Sequence, residues 1–328
     1  MSSTILGRFR QGVAIGLALA VLVYVGYALW VGVGEVAGAL ARFAWVWLPV
    51  LLALSLVNYG LRFLRWEYYL RRLDIRVPLK TSAAVFLAGL AMTITPGKVG
   101  EFLKSYLLAE SEGVPVARSA PVVFVERVAD LLALVLLASV GVAQYGGETA
   151  RPILLAAGLA VAVGIAVLQS AALTDAVLGI LSKLPVGATV APKLREAIDA
   201  SRALLAPMPL LVGLVLSGVA WYAECAEYLL AFRAFDVPME QGVAVFGYAF
   251  STVAGVVSPG GLGPTDVSLI VIAEQFTPAL AGQTEVAAAG SFIVRFCTLW
   301  LAVILGAVAL LRFGSLVDVD VDEAREGR

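Results

Sequence analysis

The chain of 328 residues contains no histidine and only two cysteines. Without histidine, the protein cannot use a Ser-His-Asp triad, a histidine general base or a histidine metal ligand. Cys225 and Cys297 each stand alone in an apolar run, so neither a disulfide framework nor a zinc site is predicted. We therefore expect no metal and no cofactor.

Charged residues are also scarce, at 14% of the chain, whereas 61% of the residues are apolar. A soluble domain usually carries about a quarter charged residues, so this chain is too apolar to cover a water-facing surface. The net charge of −1 lacks the basic excess of a nucleic-acid-binding protein, and nucleic acid is not expected as a partner. The composition predicts an all-α integral membrane protein.

Six apolar runs are long enough to cross a bilayer, because about 20 helical residues span its hydrocarbon core. They cover about residues 12–33, 43–63, 119–142, 152–171, 207–232 and 288–312. We interpret the first run as a retained span rather than a secretory signal, since it is long and no cleavage site follows Trp30. The segment 172–206 is predicted as the longest loop, with a surface amphipathic helix over residues 193–205.

Two further apolar regions are interrupted in the middle. Residues 81–110 break at the run TPGKVG (95–100), and residues 242–280 break at the run SPGGLGP (258–264). Each half holds about 13–16 residues, which is short for a crossing at helical rise. Two short halves joined at a Pro-Gly break predict a re-entrant helical hairpin, and a pair of short or tilted crossings is the alternative.

The distribution of lysine and arginine predicts the orientation in the cell membrane. With the N-terminus inside, the cytoplasmic side holds 16 of these residues, the outside holds 3, and 4 lie at membrane depth. The positive-inside rule therefore predicts a multi-pass protein with both termini in the cytoplasm. We expect one membrane domain over residues 1–315 and a disordered, acidic cytoplasmic tail over residues 316–328.

An internal repeat is visible at an offset of 160 residues. Residues 67–86 share eight identities with residues 227–246, and the pattern PGxxG of residues 96–100 returns at residues 259–263. The pattern FxxR of residues 124–127 returns at residues 292–295. Three full crossings separate Glu67 from Glu227, so the repeats, about 43–142 and 207–312, are predicted to be inverted. Inverted repeats with helices broken at the midplane are typical of secondary transporters.

Each break is a candidate anion site, because the second half-helix is predicted to begin there, near Val99 and near Thr265. Free backbone N–H groups and the helix dipole at such an end suit a phosphate, and glycine allows close approach. The predicted substrate-binding residues at the breaks are Gly97, Lys98, Gly100, Glu101 and Lys104 in the first repeat, and Pro259, Gly260, Gly261, Gly263 and Asp266 in the second. Glu101 and Asp266 either cap the half-helices or take part in coupling.

Arg127 and Arg295 lie about 12 Å deep in their spans at helical rise, where ionisable residues are usually functional. Both are candidates for phosphate contact. The alternative is an ion pair, with Glu126 or Asp130 for Arg127, and with Glu101, Asp266 or Glu224 for Arg295. Glu126 and Asp130 join the predicted substrate-binding residues.

The segment around Arg62, Arg65 and Trp66 is basic and aromatic, and it is predicted to lie at the cytoplasmic interface. Such segments usually anchor a protein to anionic lipid. A specific role in holding a lipid headgroup is the alternative.

Four runs in this order carry a resemblance: RFLRW (62–66), PGKVGE (96–101) with Lys104, ERVAD (126–130) and PGGLGP (259–264). Over about residues 10–315 the chain resembles the membrane domain of the lysylphosphatidylglycerol synthase/flippase family. In that family this domain is implicated in moving a lipid across the bilayer, and aminoacyl transfer belongs to a separate soluble domain. One departure is Pro264, which stands at the position matching Glu101.

We therefore expect translocation of an anionic lipid, either a phospholipid or a polyprenyl-phosphate-linked headgroup, rather than an enzyme. A membrane-embedded glycosyl- or phosphotransferase acting on a lipid carrier is the alternative, and so is an accessory subunit. The expected partners are membrane lipids, with a homo-oligomer or a pathway enzyme left open.

The topology prediction can be tested by labelling single cysteines in a chain without Cys225 and Cys297. A cysteine at Gly113 should react only with reagents that enter the cytoplasm, because the first hairpin returns to the side from which it entered. Cysteines in residues 143–151 should react from outside and provide the matched control. Labelling of position 113 from outside would contradict the re-entrant hairpin.

Overall fold

The computed structural model describes residues 32–182 and 187–313, together with positions 22, 25, 26 and 29. Apart from those positions and its last two residues, the predicted first span lies outside the described residues. The predicted acidic tail and Lys183 lie outside them as well.

The described residues form helices joined by short turns, which confirms the all-α prediction. Along the chain the α-helices are α1 (Val33–Ala41), α2 (Leu48–Arg72), α3 (Leu79–Leu90), α4 (Leu103–Glu112), α5 (Val116–Tyr145), α6 (Gly147–Gln169), α7 (Ala171–Leu181), α8 (Gly187–Leu204), α9 (Pro207–Arg233), α10 (Gln241–Ala254), α11 (Pro264–Phe276), α12 (Thr284–Arg295) and α13 (Leu301–Leu311). A π turn, Phe296–Trp300, joins α12 to α13. Four stretches of the described chain are long and apolar enough to cross a membrane: Trp45–Arg72, Ala150–Gln169, Pro207–Arg233 and Thr284–Leu311.

Helix α5 covers the predicted span 119–142, but it is 30 residues long and carries three charged residues in its middle. At helical rise it measures about 45 Å, so it is longer than the hydrocarbon core of a bilayer. Those residues, Glu126, Arg127 and Asp130, meet other charged side chains inside the protein.

The prediction of a loop over residues 172–206 is wrong, because α7 from its second residue and the whole of α8 lie in it, whereas the predicted helix over residues 193–205 is confirmed to Leu204 by α8. The side chain of Arg202 donates to the backbone oxygens of Leu168 and Ser170, at 2.6 and 2.9 Å. The carbonyl of Leu168 lies in the last turn of α6, where a cation stabilises the helix end. The carbonyl of Ser170 also accepts the backbone N–H of Thr174, in the first turn of α7. The buried Leu204 and Leu205 join the hydrophobic core.

Both predicted breaks are present, and they begin with the same backbone conformation. Thr95 (φ −77°, ψ 150°) precedes Pro96, and Gly97 adopts φ 56° and ψ 15°. In the second break the residue before Pro259 has φ −83° and ψ 154°, and Gly260 adopts φ 58° and ψ 17°. The sequence repeat is therefore also a repeat of local structure, built on the left-handed conformation that glycine adopts at low cost.

The two breaks differ after this shared start. The difference is not in the next residue, since Lys98 (φ 55°) and its counterpart Gly261 (φ 75°) both have a positive φ. In the first break a 3₁₀ turn over Pro96–Phe102 delays the start of α4 to Leu103. The predicted helix start near Val99 holds for the 3₁₀ conformation, which contains Glu101, whereas the α-helix begins four residues later. In the second break α11 begins at Pro264, next to the predicted Thr265.

Two hydrophobic cores surround the breaks. One core combines α1 and the C-terminal half of α5 with α9, α10, α11 and α12. The other combines α2, α3, α4 and the N-terminal half of α5 with α13. Between them lies a small cluster of Ile94, Leu262, Leu299 and Val303, so the breaks meet at the centre of the molecule. An added Cβ on Gly260 would lie 3.3 Å from the Cα of Ile94.

Valine at Gly97 or Gly260 should lower thermal stability and abolish function. A side chain in the left-handed conformation costs about 1–2 kcal/mol, and a branched Cβ adds crowding at Gly260. Gly60→Ala is the control, because no atom lies within 4 Å of its added Cβ and α2 is helical there. Thermal unfolding in detergent measures the effect, and valine variants as stable as the control would refute this account of the breaks.

Candidate functional site

A cavity of about 160 Å³ lies where the two breaks meet. Residues from both breaks line it, together with residues from α2, α5, α9, α10 and α12 and from the π turn and α13. Its walls are formed by Arg62, Thr93, Gly97, Lys98, Arg127, Asp130, Leu131, Leu134, Trp221, Glu224, Tyr248, Thr252, Gly255, Val256, Ser258, Gly260, Gly261, Thr265, Arg295, Thr298, Leu299 and Ala302.

The charged groups on these walls favour an anionic ligand. Four cationic side chains and two carboxylates line the cavity: Arg62, Lys98, Arg127 and Arg295, with Asp130 and Glu224. The formal charge of the lining is therefore positive. The ammonium of Lys98 also lies 5.1 Å from the ring centre of Trp221, a cation–π contact that joins the first break to α9.

Behind the wall, a network of charged side chains links α2, the first break, α4 and α5. Arg65 lies 2.5 Å from Asp130 and 3.6 Å from Glu126. Lys104 lies 2.5 Å from Glu126 and 3.7 Å from Glu101. Because these groups are buried, each charge is compensated by more than one opposite charge.

The network extends to the cavity through the two arginines on its wall. Arg62 lies 3.7 Å from Glu101 and 4.0 Å from Asp130. Arg127 lies 3.2 Å from Glu101 and 2.9 Å from Asp130, which confirms the predicted pair at i+3. Glu126 adjoins Arg127 in sequence, but among the described residues its ion-pair partners are Lys104 and Arg65.

The second break holds a smaller version of this arrangement. Arg295 lies 2.8 Å from Asp266 and also donates to the backbone oxygen of Gly260. Asp266 accepts a hydrogen bond of 2.9 Å from the backbone N–H of Gly263, so the predicted capping role is confirmed for this residue. Glu101 instead faces cations. Each arginine of the pattern FxxR therefore pairs with the acid that follows its own break, although Asp266 stands two residues later than Glu101 does.

Several buried hydrogen-bond donors on the cavity wall have no hydrogen-bond partner among the described residues. They are Arg62 Nε, Arg127 Nε, Thr93 Oγ1 and Trp221 Nε1. An unpaired buried donor costs about 1–3 kcal/mol. These four atoms are also closed off from solvent, so they do not face the open space of the cavity.

The expectation that Arg62, Arg65 and Trp66 form an exposed anchor to lipid is wrong, since all three side chains are buried. The indole of Trp66 donates to Ser82 at 3.1 Å, and Lys104 lies 4.6 Å from its ring centre. These residues belong to the charge network because α2 turns this face towards α5. The exposed basic residues of this segment are Arg71 and Arg72.

The structure divides the predicted site residues into three groups. Those on the cavity wall are Arg62, Gly97, Lys98, Arg127, Asp130, Gly260, Gly261 and Arg295. Those that bind wall residues or hold the network are Arg65, Trp66, Glu101, Lys104, Glu126 and Asp266. Those that shape the breaks are Gly100, Pro259 and Gly263.

The sequence did not point to Thr93, Trp221 and Tyr248, because residues of these types also occur in ordinary protein cores. It considered Glu224 only as an ion-pair partner for Arg295. An acid inside the apolar run 207–232 was a signal for a cavity residue. The free thiols of Cys225 and Cys297 are buried, as predicted for core residues.

Apolar helices, two broken helices and a buried charged cavity define a multi-pass membrane protein. Residues 13–306 match the family described as the lysylphosphatidylglycerol synthase TM region. The chain belongs to this family, which confirms the resemblance.

Curated relatives cover most of the chain at low identity. Two of them, each described as a UPF0104 membrane protein, come from Methanothermobacter thermautotrophicus. One is 24% identical over 93% of this chain and 96% of its own length, and the other is 24% identical over 89% and 90%. A third, glycosyltransferase AglD of Haloferax volcanii, is 24% identical over 97% of this chain but only 57% of its own length.

The charge network should be essential for folding. Arg65→Gln leaves Asp130 and Glu126 with less compensation and should cost about 3–5 kcal/mol. Arg71→Gln on the same helix is the matched control, because its side chain is 73% exposed and such pairs contribute at most about 1 kcal/mol. Thermal unfolding of both purified variants measures the difference, and equal stabilities would contradict a structural role for the network.

Proposed function

We propose that this protein moves an anionic lipid between the two leaflets of the membrane, with the phosphate-containing headgroup held in the cavity. The observation that carries the proposal is the set of four cationic side chains where two broken helices meet. Taking a phosphate out of water is costly, and fixed cations offset that cost. Membership of the family supports a lipid-related role.

The two arginines of the repeat supply the first and last contacts of the headgroup in this proposal. Arg127 and Arg295 come from equivalent positions, and both face the cavity. Lys98, from the first break, lines the same cavity. Arginine suits this function because it stays charged and binds phosphate with two N–H groups at once. The side chain of Arg127 is 19% exposed, so it is partly accessible to a ligand.

Apolar residues beside the cavity suit the acyl or prenyl chains of such a lipid. Val256 lines the cavity and is partly exposed, and its neighbour Val257 is 78% exposed. Val99 and Phe102, near the first break, are exposed as well. A headgroup in the cavity therefore has an apolar surface next to it for the lipid tails.

The membrane arrangement is part of the proposal. We place α3 with α4, and α10 with α11, as re-entrant hairpins that enter from opposite sides of one membrane domain. The halves have 12, 10, 14 and 13 residues, or about 15–21 Å at helical rise. None reaches across a core of about 30 Å, and irregular backbone at depth requires a protein-lined cavity such as this one.

A glycosyltransferase acting on a lipid carrier is a second candidate, because one relative bears that name. The matched region is 57% of that protein, so the activity in its name belongs to a longer chain. Sugar transfer to a polyprenyl phosphate by the purified protein would support this candidate. Movement of lipid without chemical change would support translocation.

Translocation can be measured with the purified protein in liposomes that contain a fluorescent anionic phospholipid, by quenching the outer leaflet. Arg127→Gln and Arg295→Gln should each slow the movement at least about tenfold, which corresponds to about 1.4 kcal/mol of lost headgroup stabilisation. Lysine at either position should restore part of the rate, since it keeps the charge but loses the two-pronged contact.

Arg71→Gln is the matched control and should move lipid at the wild-type rate, because its side chain lies on the surface. Thermal unfolding of the same preparations separates contact with substrate from a structural ion pair. If stability and transport fall together, and Glu101→Gln restores both in the Arg127→Gln background, the arginine is structural. Wild-type rates in both glutamine variants would overturn the proposed path.

A further inference from the structure

Two glutamates on α9, Glu224 and Glu227, are buried near the cavity and are hydrogen-bonded by hydroxyl groups. The hydroxyl of Tyr248 donates to Glu224 at 2.7 Å. The hydroxyl of Ser55 lies 3.0 and 3.1 Å from the two carboxyl oxygens of Glu227. Three residues apart on a helix, the two carboxyls lie on the same face.

The surroundings of Glu227 favour a protonated carboxyl. Its side chain is 0% exposed, and the ion pairs found among the described residues do not include it. Its counterpart in the first repeat, Glu67, lies 3.6 Å from Arg71, whereas the position matching Arg71 holds Ala231. A buried carboxylate without a cation is costly, and a bound proton removes that cost.

The number of hydrogens available at Ser55 also favours the protonated form of Glu227. Its single hydroxyl hydrogen has two kinds of acceptor, the carboxyl oxygens of Glu227 and the backbone oxygen of Cys297 at 2.9 Å. That backbone oxygen belongs to the π turn. If Ser55 donates to Cys297, the contact with Glu227 needs a hydrogen from the carboxyl, which only its protonated form has.

Glu224 is the member of the pair that reaches the cavity. It shares the cavity wall with Arg62, Lys98 and Arg295. When ionised, it is an internal anion that partly neutralises the cations on which an anionic headgroup depends. When protonated, it leaves those cations free for the headgroup, so binding of a proton and binding of the anion favour each other.

We propose that Glu224 and Glu227 form a proton-binding site, which holds one proton when the cavity is empty and a second, on Glu224, when an anionic headgroup is bound. Movement of the headgroup is thereby coupled to movement of a proton in the same direction. This inference rests on the proposed function, because it assumes that an anion enters the cavity. The titratable and charged groups that face Glu224 are Tyr59, Arg62, Lys98, Cys225, Glu227, Tyr248 and Arg295.

The test is the number of protons taken up when a lipid binds. A water-soluble anionic lipid, dihexanoyl phosphatidylglycerol, is titrated into the detergent-purified full chain in two buffers with different ionisation enthalpies. The dependence of the binding enthalpy on the buffer gives the number of protons taken up. This number should approach about one per bound lipid at a pH where Glu224 is ionised before the lipid binds. Glu224→Gln should bind the lipid with no proton uptake and at an affinity that no longer changes with pH.

Glu67→Gln is the matched control, because Glu67 is the repeat counterpart of Glu227 and lies outside the cavity; it should keep the wild-type proton uptake. Lipid binding by the wild-type protein without proton uptake at any pH would overturn the coupling and leave the proposed function intact. Absence of lipid binding would overturn both. The wild-type measurement needs no variant, so it decides the question even if Glu224→Gln does not fold. Proton uptake that persists in a folded Glu224→Gln variant would show that another group binds the proton.

Discussion

The structure depends on the compensation of buried charge. Arg65, Lys104, Glu126 and Asp130 are held inside the protein, where an isolated ion would be too costly to bury. Each has an opposite charge within 4 Å, and the partners come from helices far apart in sequence. This requirement fixes α2, α4 and α5 relative to one another, because moving any one of them would leave charges unpaired.

The same charge network leaves an excess of positive charge at the cavity. Its acids are already engaged by several cations, and two of those cations, Arg62 and Arg127, also line the cavity. The second break contributes Arg295, whose own acid, Asp266, also caps a backbone N–H. The apolar interior, where a lone charge is costly, therefore carries cations that favour an anion at this place. The breaks supply the space, since continuous helices would fill it with side chains.

The two breaks begin with the same backbone conformation but carry different side chains, and this difference gives the site its asymmetry. Lys98 in the first break has Gly261 as its counterpart, and Arg65 has Cys225 at the matching position of α9. The first repeat therefore carries the dense network. The second carries one arginine–aspartate pair and two carboxyls held by hydroxyl groups. The charge around the cavity is therefore distributed unequally between the two breaks.

The sequence by itself determined the helical class, the positions of both breaks and the residues that carry charge into the apolar interior. These follow from local physics: apolar runs of a given length form helices, and Pro-Gly runs end them. It also placed Arg127 beside Asp130, because residues three apart on a helix are neighbours. Only the tertiary structure decided that Arg62 and Arg65 face α5 rather than lipid, that α4 begins at Leu103, and that Glu224 reaches the cavity. These depend on how helices distant in sequence rotate about their axes, and that rotation is set by packing and by charge pairing between them, which no single segment contains.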